Sequence, residues 1–118
     1  MPLWRDHPEA WHEVQPGVRR RILAHAPETM LVLYHIEPDR VFAKHSHRHA
    51  QSGTILEGGG RFEAGGTTWT VGPGDAYYIP PDVPHEFRSR KAERSVIVDV
   101  FVPRRDDFLG EARRPDEP

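Results

Sequence analysis

The chain has 118 residues, 36% of them hydrophobic and 29% charged, which is enough for one core and too little for two. Its 16 Lys and Arg stand against 18 Asp and Glu, a formal net charge of -2 with no long basic stretch, so nucleic acid is not an expected partner. The absence of cysteine excludes disulfides, thiolate metal sites and cysteine nucleophiles, and no apolar run reaches the length of a membrane span; the default expectation is a cytoplasmic protein without a membrane partner.

In chain order, residues 1–17 mix Trp4, Trp11 and histidines with proline and acids and show no helical or alternating period. They are expected to form an N-terminal arm with at most one short strand, its tryptophans covered by a barrel flank or by a partner subunit. Strands are predicted at 18–24, 29–37, 52–56, 61–64, 67–71, 76–79, 85–89 and 94–102. Between them stand turn formers such as Pro38-Asp39, Glu57-Gly58-Gly59-Gly60, Gly72-Pro73-Gly74 and Pro80-Pro81-Asp82-Val83-Pro84. About eight short strands at regular spacing, with no amphipathic helix, predict an all-β fold: an antiparallel sandwich or β-barrel of jelly-roll type over residues 18–109. In the first strand Arg19-Arg20-Arg21 should alternate between faces, the outward side chains solvated. Residues 110–118, charged and rich in proline, are expected to be a mobile tail.

The densest chemical signal is His45-Ser46-His47-Arg48-His49-Ala50-Gln51. In an extended chain, residues two apart point the same way, so His45 and His47 can offer two imidazoles to one metal ion from one sheet face. Gln51 follows where the next strand can return its side-chain oxygen, and His85 opens another strand after a proline-rich turn. His49 has the parity of the ligands but stands where the chain turns, which suits a supporting or surface position. His7, His12, His25 and His35 lie apart from this cluster.

These residues resemble the two conserved motifs of the cupin superfamily. His45, His47, Gln51 and Gly58 match the first, of form His-x-His, then Glu, then Gly; Gly74, Pro80, Asp82 and His85 match the second, of form Gly, then Pro-x-Gly, then His. Three positions depart: Asp39 stands for the opening glycine, Gln51 for the usual glutamate, and Asp82 for the turn glycine. The resemblance implies a cupin-type antiparallel β-barrel, or double-stranded β-helix, that dimerises and holds one divalent metal ion (Zn, Ni, Mn or Fe) through His45, His47, Gln51 and His85. Glutamine ligates through its carbonyl oxygen, and Asp accepts a left-handed turn better than most residues. Three neutral imidazoles and a neutral amide leave the charge of the ion uncancelled, which favours an anionic substrate group.

A second signal is the carboxylate of Asp99 inside the apolar run Ser95-Val96-Ile97-Val98-Asp99-Val100-Phe101-Val102. Such a group is a general acid/base, a member of a buried salt bridge, or an outward residue of an edge strand. The segment from Asp99 to Leu109 resembles that of small cupins related to the pectin-degradation protein KdgF. That resemblance implies catalytic positions at Asp99, Phe101 and Arg105, with the arginine gripping a carboxylate, and an activity that opens the ring of unsaturated uronic acids. Two other functions fit the same ligand set: a metal-dependent dioxygenase of quercetinase-like type, and a non-catalytic small-molecule binder. Of Tyr77 and Tyr78, a regular strand points one inward, and Trp69 on the strand before is expected to pack in the barrel.

Overall fold

A computed structural model describes all residues from Met1 to Pro118. Ten strands follow in order: β1 (His12–Gln15), β2 (Val18–Ala26), β3 (Thr29–Ile36), β4 (Val41–His45), β5 (Ala50–Glu57), β6 (Gly60–Ala64), β7 (Thr67–Val71), β8 (Ala76–Ile79), β9 (His85–Ser89) and β10 (Ser95–Val102). A single 3-10 turn spans Asp106–Glu111. All pairings are antiparallel and form two sheets, one ordered β1-β2-β3-β10-β5-β8 and the other β4-β9-β6-β7. The fold is an all-β jelly roll, as the regular strand spacing requires, with two facing sheets that are not joined into one continuous ladder. No helix is long and apolar enough to cross a membrane.

Alternation decides which side chains fill the space between the sheets. On β3, Met30, Val32, Tyr34 and Ile36 are buried while their neighbours are partly exposed, the period-two pattern of a strand with one face on a core. Ile55 of β5, Phe62 of β6, Ile79 of β8, Phe87 of β9 and Phe101 of β10 complete that core. Each such side chain contributes about 1.5–3 kcal/mol by leaving water. Polar residues also hold inward positions in the same rows, among them Arg20 between Val18 and Ile22, Gln51 ahead of Ile55, His85 ahead of Phe87, and Asp99 between Ile97 and Phe101. The functional site is thus a polar interruption of an apolar interior.

The crossover from β5 of the larger sheet to β6 of the smaller runs through Gly58 and Gly59, whose φ values of 72° and 124° favour glycine. A side chain at Gly59 would also collide with the carbonyl oxygen of Val71. The two aspartates that replace motif glycines, Asp39 and Asp82, adopt φ of 55° and 66°, so they keep the left-handed turns of the residues they replace. The Asp82 N–H donates to the carbonyl of His47 at 2.8 Å, tying the second motif to the first.

The arm and the C-terminal segment hold each other. Trp4 Nε1 donates to the carbonyl of Arg113 at 2.9 Å, and the Asp116 N–H donates to Leu3 at 2.8 Å. Trp11 lies on the imidazole of His35, with the guanidinium groups of Arg19 and Arg21 at 4.5 and 4.9 Å from its ring. Both tryptophans therefore find cover on their own chain. Arg19 and Arg21 are partly buried over Trp11, against the expectation of solvated outward arginines; the flat indole attracts them.

Candidate metal centre and cavity

His45 is the last residue of β4, His47 stands in the following loop, and His85 opens β9. The expected pair on one strand face is thus built from a strand end and a loop, because the chain must bend here to pass from β4 to β5 in the other sheet. Antiparallel pairing sets His45 opposite His85, their ring centroids 4.3 Å apart; His47 lies 5.0 Å from His85 and 5.7 Å from His45. One nitrogen of each falls within 4.8 Å of the others, so the triad could hold a metal ion.

Each imidazole is fixed by the same device. Nδ1 of His45, His47 and His85 lies 2.9 Å from the carbonyl oxygen of Ala43, His49 and Val83 respectively, so Nδ1–H donates and Nε2 remains the free base. Nε2 of His85 is buried and has no hydrogen-bond partner, an arrangement costing about 1–3 kcal/mol unless something binds there. Burial, with help from the charge of Arg105, holds His47 below the usual imidazole range, and burial pushes His85 down to about 4. Both rings are neutral at neutral pH, the form in which an imidazole can ligate.

Gln51, on β5, completes the set. Its Nε2 donates to Asp99 Oδ2 at 3.0 Å, which turns its Oε1 toward His47 Nε2, also at 3.0 Å. The Nδ1 of His47 faces a carbonyl oxygen, so a neutral ring cannot donate at both nitrogens and Nε2 meets Oε1 as acceptor against acceptor. A divalent cation held between them would relieve that conflict, because both atoms would then turn a lone pair on it. The residues present fit one divalent metal. His49 is buried and stays outside the triad; its carbonyl orients His47.

Asp99 is buried at the centre of the larger sheet, where the register places Val32, Asp99, Gly53 and Tyr77 in one row across β3, β10, β5 and β8. Its Oδ1 accepts the Tyr77 hydroxyl and its Oδ2 accepts Gln51. Burial raises its carboxyl to about 7, against the lowering effect of these two donors. Tyr77, partly buried with its hydroxyl against that carboxylate, is raised and keeps its proton. Gly53 makes the contact possible: a Cβ there would run into both Asp99 Oδ1 and the Tyr77 ring and hydroxyl.

A cavity of about 170 Å³ opens beside these groups, and Asp99 is the one carboxylate among its lining residues. Phe101 forms a wall, its ring edge-on to His47 at 5.5 Å. Arg105 lies 4.9 Å above Phe101 and 4.1 Å above Phe108 and is held by Asp107 through Nε at 3.1 Å and Nη2 at 2.9 Å. Tyr78 is exposed, and Trp69 is half exposed at the edge strand β7 instead of packing in the interior. Among the lining or supporting residues that the sequence did not mark are Arg20, Tyr34 and Gly53. Arg20 carried the same signal as Asp99, a charge between inward apolar residues, but in a triple-arginine run the alternation pointed to solvent.

Comparison with known proteins agrees with this geometry. A family model described as a cupin domain matches residues 32–101. The chain is 30% identical over 105 residues to the pectin degradation protein KdgF of Dickeya dadantii, an alignment covering 88% of this chain and 94% of that protein. Among solved structures, KdgF from a Halomonas species superposes with a TM-score of 0.83 at 33% identity, over 91% of this chain and 97% of that one. An RmlC-like cupin from Shewanella frigidimarina gives 0.78 at 26% identity, over 83% and 86%.

Proposed function

Since the chain belongs to the cupin family and is a relative of KdgF, we propose that it is a metal-dependent enzyme that opens the ring of a small unsaturated uronic acid. One divalent ion held by His45, His47, Gln51 and His85 would supply a Lewis acid for a substrate oxygen. The observation that carries the reading is the placement of Asp99: a buried carboxylate, unique in the cavity lining and separated from the triad by one amide.

Ring opening of an unsaturated uronate is an isomerisation. The hemiacetal hydroxyl loses its proton, the bond from that carbon to the ring oxygen breaks to leave an aldehyde, and the released enol becomes a ketone as the neighbouring alkene carbon takes a proton. No atom is gained or lost. Asp99 is the group placed to move the proton, Tyr77 and Gln51 hold its two oxygens, and Arg105 orients the substrate carboxylate against the wall of Phe101. The name of KdgF as a pectin degradation protein supports the substrate class, because pectin is built from uronic acids.

Asp99→Asn tests this. Conversion of the unsaturated uronate, followed by loss of its alkene absorbance, should fall by roughly a hundredfold or more, while metal content by plasma mass spectrometry stays at the wild-type level. Turnover retained in the variant, or metal lost from it, overturns the role assigned to Asp99.

A further inference from the structure

The cavity holds a second arginine that the reading above leaves unused. Arg20 stands on β2 at an inward position, is 9% exposed, and pairs across the ladder with Tyr34, another lining residue. It is held in the same manner as Arg105. Its Nε and Nη2 donate to the two oxygens of Glu111 at 2.9 and 2.6 Å, as Nε and Nη2 of Arg105 donate to Asp107. Both guanidinium groups lie over the ring of Phe108, at 3.6 Å for Arg20 and 4.1 Å for Arg105. The 3-10 turn Asp106–Glu111 thus supplies both carboxylates and the ring between them. In each arginine the edge bearing Nε and Nη2 is taken by a carboxylate, and Arg20 also meets the Tyr34 hydroxyl.

Two cations brought to one aromatic ring repel each other, and each has been partly stripped of water. A bidentate carboxylate would fix the guanidinium planes without filling their remaining donors. The arrangement suits one more anion arriving from the cavity. We infer that Arg20 is a second contact for the substrate carboxylate, acting with Arg105 and positioned by Glu111, and that this pair selects acidic sugars over neutral ones of the same shape. The inference rests on the uronate reading and narrows it: specificity resides in the arginines paired over the Phe108 ring.

The test is binding of galacturonate and of galactose, its neutral counterpart, measured calorimetrically on the protein as purified and on two variants. Arg20→Met combined with Glu111→Gln removes both charges of the pair together. Arg20→Lys keeps a charge opposite Glu111 and discards the planar donor edge. Wild type should prefer galacturonate by at least about tenfold. The double variant should lose about tenfold in galacturonate affinity, and Arg20→Lys a smaller factor, with galactose binding and metal content unmoved. Full galacturonate affinity in both variants overturns the role of Arg20 and leaves the proposed function standing. Wild type that binds the two sugars equally overturns carboxylate recognition itself, and the uronate reading with it.

Discussion

Gln51 shows how one side chain can be dictated by its neighbour. The family position is commonly glutamate, and a carboxylate there would strengthen a metal site. Here, however, the same side chain must donate to Asp99 Oδ2 while presenting an oxygen beside His47. An amide does both, and a carboxylate would set two negative groups about 3 Å apart in a low-dielectric interior. Gln51→Glu is therefore expected to keep its metal, at wild-type occupancy or above, while substrate turnover falls by roughly a hundredfold. Metal analysis and steady-state kinetics on the same preparation check the two halves separately. Turnover equal to wild type would show that the Gln51 amide is not what orients Asp99.

At the level of the strands, the row Asp99, Gly53, Tyr77 joins three strands of the larger sheet into one unit. Glycine inside a strand ordinarily weakens it, but here the missing side chain is the space in which carboxylate and phenol meet. Gly53→Ala must push Asp99 or Tyr77 out of place. It is expected to cost about 1–3 kcal/mol of stability and to lower activity further than that loss explains, read by thermal unfolding and by turnover well below the melting temperature. An alanine variant as stable and active as wild type would mean that the row does not act as a unit.

These rows also separate what could be read from the chain from what could not. His45, His47 and Gln51 stand out as a local cluster and Asp99 by interrupting an apolar run, since both are properties of a few adjacent residues; His85 joins them through its match to the second cupin motif. Gly53 and Tyr77 acquire meaning only when β5, β8 and β10 are side by side, and no local pattern states that pairing. β4 escaped for a related reason: its residues are half-buried or exposed, so Val41-Phe42-Ala43-Lys44 lacks the alternation that marks β3. Arg20 needed its strand neighbours to be weighed above the charge of Arg19 and Arg21.

Across the whole molecule, arm, larger sheet and tail are tied to one another. Glu111 belongs to the segment beyond the last strand, yet it anchors a cavity residue of β2, and the next turn of chain is pinned by Trp4. The three Nδ1–H bonds to Ala43, His49 and Val83 carry a consequence for the order of assembly. Each acceptor is a main-chain oxygen of the folded chain, so the imidazoles are aimed before any ion arrives. On the proposed function, loading would be a reversible capture by a finished receptacle, in contrast to small zinc domains whose chains collapse when stripped. Protein treated with a chelator should still melt in one cooperative transition, and returning the ion should raise the midpoint by mass action, following free metal concentration logarithmically. On the proposed function, one folded polypeptide could then be charged, emptied and charged again, its working state set by metal supply and independent of synthesis.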